Sequence, residues 1–141
     1  TSFINTNLTF YTNITAMKTI IAGGRELTEK PLVEETISER VPWEITEVVE
    51  GGQRGIDRMA REWAEENNIV CTTFKAEWDK YDTAAGPIRN EEMAKYADAL
   101  VAIRNGESVG TEDMISKAEQ YNLRIVERDL SATTLFSFES E

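Results

Sequence analysis

Apolar residues in this chain fall into short solid blocks alternating with stretches that repeat every three to four positions. The run KTIIAGG (18–24) has the continuous apolar character of a strand covered on both faces. TEKPLVEETISERV (28–41) changes to helical spacing, with Pro31 near its start and Leu32, Thr36, Ile37 and Val41 along one side. EITEVVEGG (44–52) is a second strand. The clearest helix spans 54–67, where Ile56, Met59, Ala60, Trp63 and Ala64 form one stripe. NIVCTTF (68–74), DALVAIR (98–104) and LRIVER (123–128) complete five predicted strands. GPIRNEEMAKYA (86–97) and TEDMISKAEQYN (111–122) complete the helices, the latter with Met114, Ile115, Ala118 and Tyr121 inward. Short strands separated by helices predict an α/β fold with a doubly wound parallel sheet.

Right-handed crossovers bring every strand-to-helix loop of such a sheet to one rim, where ligands bind near the switch in strand order. That rim collects GGREL (23–27), GGQRGID (51–57), EWDKYDTAAGPIRN (77–90) and RNGESVGT (104–111), which hold all 8 glycines of the chain. Glycines serving turns alone would mark both rims.

The ends differ from this core. Residues 1–16 carry no charged side chain, and Ile4, Leu8, Phe10 and Ile14 share one parity. We read them as a β arm or an appended leader, with Met17 a plausible original start. The domain is placed at 17–130 and a tail with Leu135, Phe136 and Phe138 at 131–141. Arm and tail need somewhere to bury apolar surface, which leads us to expect a homo-oligomer.

Charge narrows the partners. Fifteen Lys and Arg stand against 26 Asp and Glu, a formal net charge of −11, so an extended nucleic acid is not an expected partner. A small nucleotide remains compatible, because local amides and arginines outweigh distant charge. The absence of histidine excludes His-based triads, His general bases and His metal ligands. Cys71, the single cysteine, lies in an apolar run and reads as a buried thiol. No span of membrane length and no basic, apolar leader is present, so the expected setting is cytoplasmic, without a membrane partner.

The rim loops carry the candidate chemistry. Gly51 and Gly52 allow close backbone approach, and Gly55 opens a helix whose free amides favour an anion. Asp57, in the first helical turn, either complements the helix dipole or accepts from ribose hydroxyls. Arg54 reads as solvent-facing. Arg89 and Asn90 are placed in the first turn of their helix, where a bound phosphate or carboxylate would explain an arginine. Ser108 or Thr111 caps the next helix or, with Gly110, seats phosphate. Gly23, Gly24 and Arg25 offer amides and a guanidinium. Trp78 and Tyr81 either stack on a base or close the core edge.

MKTIIAGGRELT, VVEGGQRGIDRMAREWA, the AGPIRNEEM segment and NGESVGTEDMI together resemble the YspA-type, YpsA-related branch of the SLOG superfamily, over about residues 17–128. The resemblance implies a three-layer Rossmann-like fold similar to DprA and to LOG-type phosphoribohydrolases, and a nucleotide or ADP-ribose-like ligand. Small proteins of this branch also occur in phages. LOG-type enzymes carry an Arg in an RKxxM-like helix, matched by Arg89, and a Glu in PGGxGTxxE, where this chain has Met114. A thioether cannot do a carboxylate's proton chemistry. Glu112 and Asp113 are adjacent, but project in other directions from the helix.

The expected function is therefore binding or sensing of a nucleotide-derived ligand, with no certain cofactor and no metal. The amides of Gly23, Gly24, Gly51, Gly52 and Gly110 would meet phosphate, Arg25 and Arg89 would neutralise charge, and Asp57 and Asn90 would read ribose. Ser108 and Thr111 would complete the phosphate seat. One alternative is a hydrolase of an N-glycosidic or phosphoester bond, with Asp57, Arg89 and Glu112 as catalytic candidates. The other is an oligomeric interaction protein with a vestigial cleft.

Overall fold

The computed structural model describes residues 15–29 and 31–132. The expectations for the tail beyond residue 132 and for the arm up to residue 14 lie outside the described residues. Ala16, counted with the arm, belongs to the first strand, and the Thr15 carbonyl already accepts from the Glu44 N–H.

Five strands form one parallel sheet. They are β1 (Ala16–Gly23), β2 (Glu44–Glu50), β3 (Val70–Thr73), β4 (Ala99–Arg104) and β5 (Arg124–Asp129), in the order β3-β2-β1-β4-β5. Order reverses between β1 and β4, which pair from Thr19 with Ala99 to Gly23 with Ile103. The long helices are α1 (Leu32–Arg40), α2 (Ile56–Glu66), α4 (Ala85–Tyr96) and α5 (Val109–Gln120).

Successive strand residues feed opposite layers. Ile21, Val48 and Val101 pack with residues of α1 and α2, whereas Ile20, Val49 and Leu100 pack with residues of α4 and α5. Two-sided burial explains why strand sequences read as solid apolar blocks rather than alternating ones. Trp43 belongs to the first layer, and its indole N–H donates to Thr19 Oγ1 at 2.9 Å. Trp63 packs partly buried against the same layer.

The segment read as one loop before α4 contains a short helix, α3 (Trp78–Tyr81), and a 3-10 turn over Asp82–Ala84. α4 begins at Ala85, one residue before the expected Gly86. Pro87 fits its first turn because the N–H it lacks would have had no partner there. Arg89 and Asn90 consequently lie in the second turn of α4, on its buried face, not in the first.

Candidate functional site

A cavity of about 460 Å³ opens over the carboxyl ends of β1 and β4, the position where doubly wound sheets hold ligands. Gly23 at the end of β1 and Arg25 just beyond it line the cavity, with Gln53 and Asp57 after β2, Arg89 and Asn90 from α4, and Ser108, Gly110 and Thr111 from the start of α5. Trp78, Asp113 and Met114 also face it.

Arg89 is the hub. It is 8% exposed. Its Nε donates to Asn90 Oδ1 at 2.9 Å, and one terminal nitrogen donates to the Gly51 carbonyl at 2.6 Å and to Phe74 O at 3.4 Å. The other terminal nitrogen meets no described acceptor. Burial pushes the guanidinium down from its usual range, against the pull of Asp57, Glu50 and Asp113. Asn90 turns its amide to Gly110 O at 3.4 Å and to Asp113 Oδ2 at 2.9 Å, and Lys117 pairs with Asp113 at 2.8 Å. Asn90 thus ties α4 to α5, and both its amide protons are committed within the protein.

The Asp57 carboxyl is 7% exposed and accepts from the Gln53 N–H at 3.2 Å. Burial, aided by the nearby Glu50 charge, pushes its pKa up to about 6 despite Arg89. A proton can therefore be held in the cavity wall near neutral pH. Behind it lies Glu50, which is fully buried at the end of β2. Its carboxylate accepts from the Gly52 N–H at 2.6 Å and from the Thr73 hydroxyl, and it pairs with Arg61 at 3.6 Å. Sequence reasoning passed over Glu50. Its signal was an acid ending a strand beside glycine.

At the mouth of α5, neither hydroxyl caps the helix. Ser108 Oγ donates to Thr111 Oγ1 at 2.9 Å. The Ser108 N–H donates instead to Glu112 Oε2 at 3.2 Å, and Arg104 lies 3.9 Å from the same oxygen. Glu112 is thereby turned away from the cavity, while Asp113, expected to point aside, faces in. The amides of Val109, Gly110 and Thr111 have no acceptor among the described residues, leaving a positive helix end open to the cavity.

The glycines divide by role. Gly23 and Gly110 line the cavity, whereas Gly24, Gly51, Gly52 and Gly55, also expected to meet ligand, do not. The Gly24 carbonyl accepts from the N–H groups of Leu27 and Ile56 at 3.4 and 3.3 Å. A Cβ on Gly51 would sit 2.4 Å from Arg89 Nη1, so that glycine makes room for the guanidinium. Gly52 (φ +76°) turns the chain above Thr73, and a Cβ on Gly55 would strike Gly24 O at 2.4 Å. Arg54 is solvent-facing as expected, paired with Glu26 at 3.2 Å. Tyr81 does not line the cavity, but Trp78 does. Cys71 is only partly buried, and its thiol is pushed up to about 11 by burial and by Glu50.

Among the described residues, no group of three or more acidic or thiol side chains could hold a metal ion, and no helix is long and apolar enough to cross a membrane.

A five-stranded parallel sheet with a ligand-sized cavity over its switch point defines a Rossmann-like protein. The family model for YspA, cpYpsA-related SLOG proteins matches residues 17–81, from β1 to the end of α3. The Gene 61 protein of Mycobacterium phage D29 is 30% identical over 118 residues, covering 77% of this chain and 94% of that protein. The chain belongs to the YspA, cpYpsA-related SLOG family.

Proposed function

We propose that the cavity binds a nucleotide or nucleotide-derived ligand, a nucleoside phosphate or an ADP-ribose-like molecule. The observation that carries this reading is the meeting of a buried arginine with a free nitrogen and an α-helix start with three unpaired amides across one cavity wall. The guanidinium is cationic, the helix start carries a partial positive charge, and both are preorganised, so an anionic group loses little by leaving water to meet them. Arg25, at the rim, adds a second guanidinium. The cavity volume, about 460 Å³, lies within the usual range for small-molecule sites.

Thermal shift and calorimetry with AMP, NAD and ADP-ribose test the reading. Bound ligand in excess stabilises the folded state. At least one of the three should raise the Tm, and Arg89→Lys, which cannot span the same acceptors, should weaken that ligand about tenfold or more. Absence of binding at millimolar concentration for all three would reject it.

Asp57 supports a second reading, hydrolysis of an N-glycosidic or phosphoester bond. A carboxyl with a pKa of about 6 in the wall can give or take a proton at working pH. Chromatography separates the two readings. Intact ligand after long incubation supports binding alone, and released base or phosphate that vanishes in Asp57→Asn supports the enzyme.

A further inference from the structure

Trp78 is the conspicuous misfit of the cleft. It opens α3, is 52% exposed and belongs to neither apolar layer of the sheet. It nevertheless lines the cavity, as does Val109, which is 87% exposed at the start of α5. The indole lies against the first turn of α4, where a Cβ on Gly86 would meet Trp78 Cη2 at 3.4 Å. The indole N–H has no described acceptor. An aromatic face exposed at the mouth of a cavity is available to stack on a planar ligand. The charged groups of the interior, Arg89, Asp57 and Asp113, suit phosphate and sugar, and Trp78 is the one aromatic ring among the lining residues.

Resting on the nucleotide reading above, we propose that Trp78 is the residue that stacks on the ligand's nucleobase, holding it at the cavity mouth while the sugar-phosphate end reaches the Arg89 and α5 wall. Stacking of this kind is tolerant of base identity, because every base presents a π face. The ligand class is therefore narrowed to nucleotides that retain their base, with ribose 5-phosphate a poor substitute.

The full chain is titrated calorimetrically with AMP and with ribose 5-phosphate. Wild type should bind AMP about tenfold or more tightly than ribose 5-phosphate. Trp78→Ala should bring AMP down to the level of ribose 5-phosphate and leave the latter unchanged, and Trp78→Phe should restore most of the preference. Because Trp78 stands outside both apolar layers, its removal should leave the fold intact, which circular dichroism checks. AMP should also quench tryptophan fluorescence in wild type but not in Trp78→Phe, whose remaining indoles, Trp43 and Trp63, lie in the α1–α2 layer. If both ligands bind and Trp78→Ala loses no preference, this proposal fails alone. If neither ligand binds, the proposal fails together with the reading beneath it.

Discussion

Glu50 shows how much one buried side chain organises. Its carboxylate meets donors from Gly52, Thr73 and Arg61, so an amide with a single acceptor oxygen cannot replace it. Glu50→Gln should lose about 2–3 kcal/mol of stability in urea titration, the usual range for breaking a buried ionic network. Burial holds the Cys71 thiol near 11 with help from the Glu50 charge, so removing that charge should accelerate alkylation of the thiol at pH 8–9. Asp57 supplies a pH test with a definite sign. Its pKa is about 6 in the fold against 3.8 for an unperturbed aspartate, so folding favours the proton. Below pH ~4 both states are protonated and this group has no effect. Between pH ~4 and ~6 stability falls as the unfolded chain ionises first, by up to about 3 kcal/mol above that window. Asp57→Asn should therefore match wild type at low pH and exceed it near pH ~7.5, read from paired denaturation curves; parallel curves across the range would contradict the assignment.

Helix starts and their preceding turns are the elements that shape the cleft, and glycines at two of them should respond oppositely to a methyl group. Gly55, the N-cap of α2, has φ +77° and lies against the Gly24 carbonyl. Gly55→Ala should cost about 3 kcal/mol or more, from backbone strain and a clash with main chain that cannot rotate away. Gly110, in the first turn of α5, would place a Cβ in open space with nothing within 4 Å. Gly110→Ala should fold as stably as wild type, or up to about 1 kcal/mol more so, because alanine suits a helix better. Gly110 lines the cavity, so an added methyl takes ligand space and nucleotide affinity should drop about tenfold in calorimetry. A fold that tolerates neither change, or a ligand indifferent to the second, would contradict this division of roles.

Across the whole molecule, 26 acidic residues face 15 basic ones, and the formal charge of −11 works against compactness. Raising sodium chloride from about 10 to 200 mM shortens the Debye length several-fold and should raise the Tm by a few degrees. Nucleotide affinity should fall over the same range, since the ligand's anion is screened from Arg25 and the α5 amides. The two trends have opposite signs, so one salt series tests both.

Hydrophobic patterning alone determined the alternation of strand and helix, because strands buried on both faces must be apolar at consecutive positions, as in Ile20–Ile21 and Val48–Val49. It also determined that the glycine-rich loops share one rim, a consequence of crossover handedness. Arg89 was legible as a residue facing the rim because an arginine near a helix start needs an acceptor to explain it, even though its turn was misplaced and its acceptors include the carbonyls of Gly51 and Phe74. Side-chain direction was decided only in three dimensions. Whether a glycine faces a ligand or a neighbouring carbonyl depends on chain segments far apart in sequence, as with Gly51 against Arg89 and Gly55 against Gly24. The same holds for acids. Nothing local separates Asp113, which faces the cavity, from Glu112, which turns back to Ser108. Nor could local pattern reveal that Glu50 would be enclosed by Thr73 and Arg61, because burial is a property of what packs above a residue and not of the residue itself.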